Sequence, residues 1–416
     1  MTAEVVIMNK LGMSLAADSA ITSGRDGIQK VYNSANKLFS LSREHPVGIM
    51  VYGAASFMEV PWDVIIKSYR DYLGDKKFDD LTDYAGDLMD FLRRDERFAN
   101  NDVESIIVYR TFSDVLKRVV REVEGHISEA EEVEDENVTE WLESCVKRKV
   151  EEFREEDTEF VELDYQHFKD AFGSVIREIK EELITYELPD EVKEDLYMLA
   201  FQALKKDYFS VGSTGLVICG YGEKEIFPHM LNYRLEGFVF GQMKYKLLKE
   251  RKISYTNDEA DGTASITAFA QREMVDSFIG GIEPNMEEAI FGIIDRVLTS
   301  YDEQVQKHLG INFSAEQVTE LKNLGNELYD SIEEAVEEYQ RNNYIEPLLG
   351  VVRSLPKEEL AEMTEALINL TSFKRRVTRA TESVGPPIDV AVITKGDGFI
   401  WMKRKNYVNA EINSRF

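Results

Sequence analysis

Thr2-Ala3-Glu4-Val5-Val6-Ile7-Met8 begins a run that continues with Leu15-Ala16-Ala17-Asp18, Asn36-Lys37-Leu38-Phe39 and Val51-Tyr52-Gly53. The reading of these stretches decides the fold. Residues 3–8 read as a strand, Asn9-Lys10-Leu11-Gly12 as a turn, and 13–18 as the hairpin partner. Ser23-Gly24-Arg25-Asp26-Gly27 reads as a loop. Residues 37–41 and 47–52 read as two more strands, with the near-continuous apolar runs of buried ones.

The residue types suit one chemistry. A threonine hydroxyl is a poor nucleophile and needs an adjacent base. With Met1 removed, Thr2 would carry both a hydroxyl and a free α-amine, a group that titrates at about 7.7–8.0 and can take a proton near neutral pH. An ammonium at Lys37 would lower the pKa of that amine and favour ionisation of the hydroxyl. A carboxylate at Asp18 would hold the ammonium and compensate its burial. The N–H of Gly53 could point at a developing oxyanion, where glycine allows close backbone approach.

In this order the stretches resemble the opening of the proteasome β-subunits and the HslV-type bacterial peptidase, which are N-terminal threonine (Ntn) hydrolases. The resemblance implies an α+β fold, a four-layer αββα sandwich. It places Thr2 at the nucleophile, Asp18 at the acid, Lys37 at the lysine and Gly53 at the oxyanion glycine. Thr22 falls where the family pairs its backbone with an extended substrate. Ile21, Val51 and Ala55 fall at the specificity pocket, and being apolar they suit an apolar side chain before the scissile bond. The implied reaction is hydrolysis of amide bonds, of peptides first, without metal or organic cofactor. A homo-oligomer is the expected assembly, with an ATP-dependent unfoldase as a further candidate partner. Two other functions fit the same fold: a small-molecule amidohydrolase, and an inactive scaffold that binds partners through helical insertions.

Two departures from the family pattern stand in the sequence. The region expected to open a later helix on Ser-Gly reads Ser265-Ile266-Thr267-Ala268-Phe269-Ala270. The late Asp-x-x-Ser-Gly motif is replaced by Thr381-Glu382-Ser383-Val384-Gly385, where Glu382 and Ser383 could substitute with a shift in register.

Periodicity divides the rest of the chain. Residues 62–74 and 77–95 switch to helical spacing, with Tyr69, Tyr72 and Leu73 on the first and Leu81, Leu88, Phe91 and Leu92 on the second. The expected organisation is a core over 1–99, a helical insertion over 100–208, core again over 209–305, a second helical insertion over 306–379, and a closing hairpin and tail over 380–416. Strands return at 209–221, and the next ones take in Phe227-Pro228 and Val239-Phe240. Ile266 to Ile279 is expected as a helix, and Asn285 as the cap of the next, 286–304. Lys395-Gly396-Asp397-Gly398 joins the last two strands, an Asp-Gly turn signal.

Composition excludes several function classes. Acidic residues number 78 against 49 basic, a net charge of −29, which argues against a nucleic acid or an anionic membrane surface as partner. No apolar run reaches the roughly 18 residues of a membrane span. Glu4 and Asn9 interrupt the first apolar residues, so no signal peptide is expected and the address is cytoplasmic. Cys145 and Cys219 lie far apart and imply no disulfide framework. His45, His126, His167, His229 and His308 form no metal-ligand spacing. Gly220-Tyr221-Gly222 lacks the helix and lysine of a phosphate loop.

Overall fold

The structure is a computed structural model describing residues 2–23, 30–95, 97–98, 101–130, 135–256, 262–378 and 384–405. Strands β1 (Ala3–Asn9), β2 (Gly12–Ala17), β3 (Ile21–Ser23), β4 (Lys30–Tyr32), β5 (Leu38–Ser40) and β6 (Val47–Gly53) come first. The short strands β7 (Ser56–Phe57) and β8 (Val60–Pro61) lead into helices α1 (Trp62–Leu73) and α2 (Leu81–Arg94). Four helices follow: α3 (Asn101–Glu129), α4 (Asp135–Glu155), α5 (Tyr165–Leu183) and α6 (Asp190–Lys205). Strands resume with β9 (Thr214–Gly220), β10 (His229–Val239), β11 (Gln242–Lys252) and β12 (Ala264–Ala270). Then come α7 (Glu273–Gly280), α8 (Pro284–Leu309), α9 (Ala315–Gln340), a π-helical turn at Arg341–Ile345, α10 (Glu346–Val352) and α11 (Lys357–Val377). The hairpin β13 (Asp389–Thr394) and β14 (Gly398–Lys403) closes the order. The chain forms two compact units, one of Met1–Ala35 with Lys252–Phe416, the other of Asn36–Arg251.

The first unit is built on a sheet of order β12-β1-β2-β13-β14. Its four strand pairs are antiparallel. The Asn9-Lys10-Leu11-Gly12 turn forms as expected, and the Asn9 side chain accepts from the N–H groups of Leu11 (2.9 Å) and Gly12 (3.3 Å). Alternate residues on β1 point to opposite faces. Ala3, Val5 and Ile7 join Ala16, Val390 and Val392 in a core with Leu360, Leu367 and Ile368 of α11. On the other face, Glu4, Val6 and Met8 are buried as well. Burial of both faces explains why β1 reads as an almost unbroken apolar run.

Two sequence expectations in this unit are corrected. Residues 264–270 form a strand paired along the whole of β1, not the first turns of a helix. Ser265, Thr267 and Phe269 alternate with Ile266 and Ala268, and that period of two prevails over helical spacing. The next long helix is capped by Glu283, which accepts from the N–H of Met286 at 3.0 Å, with Pro284 in the first turn rather than Asn285 at the cap. Within the stretch 306–379, α11 lies across β1, β2 and β13.

The second unit is built on a sheet of order β11-β10-β9-β6-β5. Phe227 and Pro228 precede β10 rather than lying in it, and Phe240 turns the chain instead of extending the strand. Phe240 (φ 49°) and Gly241 (φ 71°) both take positive φ, as the tight turn between two twisted strands requires. Helices α3 to α6 pack on one another, and α3 also lies on β10. Their apolar residues, among them Phe112, Val146, Phe168 and Leu199, share one continuous core with Ile49, Leu216 and Leu231 of the sheet. Cys219 is a buried residue of β9. Among the described residues no helix is long and apolar enough to cross a membrane.

Candidate active site

Thr2, Asp18, Ile21 and Thr22 belong to the first unit, and Lys37, Val51, Gly53 and Ala55 to the second. Thr2 immediately precedes β1 and is only 5% exposed. Its carbonyl accepts from Gln271 N–H at 3.0 Å, which prolongs the β1–β12 ladder and fixes the backbone beneath the side chain.

Asp18 sits one residue beyond β2 and is 1% exposed. Its Oδ1 accepts from Ala3 N–H at 3.0 Å. Its Oδ2 accepts from Ala20 N–H at 2.9 Å and from Gly385 N–H at 3.3 Å. The carboxylate therefore ties together the start of β1, the exit from β2 and the approach to β13. Ile21 is half-buried at the start of β3, and Thr22 pairs with Val31 of β4. Thr381, Glu382 and Ser383, the altered late motif, lie outside the described residues.

Two charged residues beside this point were not singled out from the sequence. Asp389 opens β13, pairs in register with Ala17, and is buried. Its carboxylate accepts from both the backbone N–H (2.8 Å) and the ammonium of Lys405, which also donates to Ser19 Oγ at 2.8 Å. Ser19 N–H in turn donates to Gly385 carbonyl at 3.3 Å. The available signal was an acidic residue inside the apolar run Ile388–Ile393, since a buried carboxylate calls for a cation.

In the second unit Lys37 stands just before β5 and is 6% exposed. Its carbonyl accepts from Val51 N–H at 2.9 Å, which sets it across from the end of β6. Val51 is buried, while Gly53 and Ala55 are exposed. Gly53 has φ 81°, and a Cβ there would meet Ser213 carbonyl oxygen at 2.5 Å. The segment after it is pinned by Ala54 N–H to Ser213 carbonyl (3.2 Å) and by Trp62 N–H to Ala55 carbonyl (3.1 Å).

No family model and no curated protein matches the sequence. Among solved structures the chain is similar to the Gly-1 mutant of Anbu from Hyphomicrobium sp. strain MC1. The likeness covers 97% of this chain and 86% of that one, at 12% identity and a TM-score of 0.28.

One further group of possible ligands occurs among the described residues. Glu122 and His126, one turn apart on α3, and Cys145 of α4 bring their ligand atoms within 4.8 Å of one another. Arg148 donates to the Glu122 carboxylate, so a guanidinium already occupies that oxygen. Burial and the adjacent Glu122 carboxylate push the Cys145 thiol upward, away from the thiolate a metal takes.

Proposed function

We propose that this chain is an N-terminal threonine hydrolase that cleaves amide bonds, with Thr2 as nucleophile once Met1 has been removed. The observation that carries the reading is the setting of Thr2: a buried threonine at the head of β1, its neighbour Ala3 fastened to a buried carboxylate, Asp18. The burial of Lys37 supports it, because a lysine is withdrawn from water only where a compensating role exists. The left-handed Gly53, which admits no side chain, supports the oxyanion role.

In the proposed reaction Thr2 Oγ attacks the amide carbon as its proton passes to the α-amine, directly or through a water. The carbonyl π-bond opens to an oxyanion that accepts from Gly53 N–H. Collapse breaks the C–N bond, the ammonium returns its proton to the leaving amine, and an ester remains on Thr2. Water, deprotonated by the same amine, hydrolyses that ester and restores the hydroxyl. Lys37 and Asp18 hold the local charge balance. Ile21, Val51 and Ala55 form the apolar subsite, and the Thr22 backbone pairs with an extended substrate. A peptide is the first substrate class and a small amide the second.

Intact-mass measurement of untagged protein, with and without a peptide epoxyketone, tests the reading. That reagent needs both the hydroxyl and the free amine of an N-terminal threonine. Loss of Met1 with one stoichiometric adduct is the expected result. Retained Met1 excludes the amine-base mechanism for that form and leaves the scaffold role. Loss of Met1 without an adduct turns the search to small amides, assayed by ammonia or amine release.

A further inference from the structure

Helices α8 and α9 pack as an antiparallel hairpin, each of 26 residues and so about 39 Å long. Among the described residues, the buried positions along both are Asp302 and Gly325 alone. A helix pair of this length normally buries a continuous apolar stripe, since packing rather than propensity supplies most helical stability. Here the apolar residues exist but are not covered. Met286, Ile290, Ile293, Val297 and Tyr301 recur at three- and four-residue intervals along one side of α8, from 38% exposed at Ile290 to 59% at Met286. On α9, Leu324 and Leu328 are 49% and 46% exposed.

These residues lie on one side of the hairpin. Tyr301, Leu324 and Leu328 line a single cavity between the two helices. A separate groove, lined by Glu288, Asp295, Glu333 and Glu337, runs along the seam where Phe291 meets Tyr329 with ring centres 5.9 Å apart. On a helical projection these acidic residues and the apolar stripe flank the seam from opposite sides. One broad side of the hairpin is thus apolar and the other acidic. Within the apolar cavity, Asp302 Oδ1 is buried and has no hydrogen-bond partner among the described residues.

We propose that the apolar side of this hairpin is a self-association surface, covered by the same hairpin of a second copy across a two-fold axis to give a four-helix bundle. Three observations select a second copy. An identical hairpin supplies a matching stripe of the same length, and an isologous contact closes on itself. The seven half-exposed side chains offer on the order of 600 Å² per partner, close to the roughly 800 Å² of a stable specific interface. Glu288, Asp295, Glu333 and Glu337 line the other groove, so these four carboxylates do not oppose one another where two copies of a chain of net charge −29 meet. The inference is independent of the threonine chemistry.

Sedimentation velocity of the full chain at micromolar concentration tests it. The wild type is expected to sediment as a dimer or a multiple of one, more completely at high salt as charge repulsion is screened. The double variant Val297→Glu, Leu328→Glu is expected to halve that mass with an unchanged circular dichroism spectrum, both sites being exposed. A second measurement does not depend on that variant folding. Val297 lies midway along α8, so a two-fold axis running across the helices at mid-length stacks α8 on its copy and brings the two Val297 together, and the native Cys145 and Cys219 are buried. Val297→Cys should therefore yield a covalent dimer with a short bis-maleimide, and Glu288→Cys on the acidic side should not. A wild type that stays monomeric at every salt concentration overturns the proposal. So does an assembly that is indifferent to the double variant and gives no cross-link at 297.

Discussion

Asp18 and Ala3 hold each other by two hydrogen bonds: Ala3 N–H donates to Asp18 Oδ1 at 3.0 Å, and Asp18 N–H donates to Ala3 carbonyl at 3.2 Å. The same carboxylate receives Ala20 and Gly385. Asp18→Ala would leave three buried backbone donors without an acceptor, at about 1–3 kcal/mol each. The expected loss is on the order of 3 kcal/mol or more in the unfolding of the first unit. Asp18→Asn should lose nearly as much, because one of its two polar atoms becomes a donor facing donors. Urea titration followed by tryptophan fluorescence and circular dichroism reads both. A near-wild-type Asp18→Ala would mean that the carboxylate is not the tie described here.

The proposed nucleophile and the lysine proposed to act with it separate by a different pair of variants. Thr2→Ala should abolish epoxyketone labelling and amide hydrolysis while leaving the melting temperature unchanged. Lys37→Ala should lower kcat by about 10²-fold or more, the usual weight of a group that tunes proton transfer. In the proposed mechanism the base is an amine that must be deprotonated and that a nearby Lys37 ammonium would depress, so the rate should rise with pH and level at or below about 8. Undiminished turnover in either variant would remove the mechanism.

Gly53 is restricted by its surroundings as well as by its backbone angle. With φ 81° and a prospective Cβ 2.5 Å from Ser213 carbonyl oxygen, Gly53→Ala must move β6 away from β9 at that end. The backbone strain alone costs on the order of 1–3 kcal/mol. In the proposed mechanism the N–H is also re-aimed, so kcat should fall about 10²–10³-fold with little change in KM. A kinetic assay on folded Gly53→Ala decides it, and a loss confined to KM would speak against the oxyanion role.

The buried pair Lys405–Asp389 makes a prediction about which half matters. Lys405→Met leaves Asp389 charged and unpaired in the interior, expected to cost about 3–5 kcal/mol. Adding Asp389→Leu removes the stranded charge and should recover most of that loss. A double-mutant cycle in urea measures the coupling, and additive losses would show that the two do not depend on each other.

The sequence carried strong signals where one period dominated. The β1–β2 hairpin, the glycine-ended β6 and the Asp-Gly closing turn are legible because apolar runs are bounded by turn residues. The strand at 264–270 was not, since Ile266, Phe269, Val275 and Ile279 also satisfy helical spacing, and only pairing with β1 separates the two. Tertiary pairing likewise hid Lys405, which follows the last strand as an ordinary basic residue yet meets Ser19 across 386 positions of sequence. The three donors on Asp18 come from residues 3, 20 and 385, and the last of these has no local signature. The helix over 286–304 was expected, but the spacing of its apolar residues does not say which side a neighbour covers.

Lys244 and Glu236 give a pH dependence with a definite sign. Burial pushes Lys244 down to about 8, although its ammonium donates to Ala203 (2.9 Å) and Tyr208 (2.7 Å) carbonyls. Burial also raises Glu236 above the usual carboxyl range, against the N–H of Ser210 at 2.9 Å. Between about 8 and the unperturbed lysine value of about 10.4, the unfolded chain keeps a proton that the native state has released. Stability from this lysine therefore rises with pH through that window and is lost as pH falls through about 8. Glu236 acts oppositely, because from about 4.3 upward the native state holds its proton more tightly and stability falls as pH rises. Urea midpoints of the wild type minus those of Lys244→Met should accordingly increase from pH 8 to pH 10. Glu236→Gln should flatten the acid window and, by removing the carboxylate that helps Lys244 keep its proton, extend the alkaline one to lower pH. A difference that decreases above pH 8 would show that the native ammonium is held more tightly than the unfolded one.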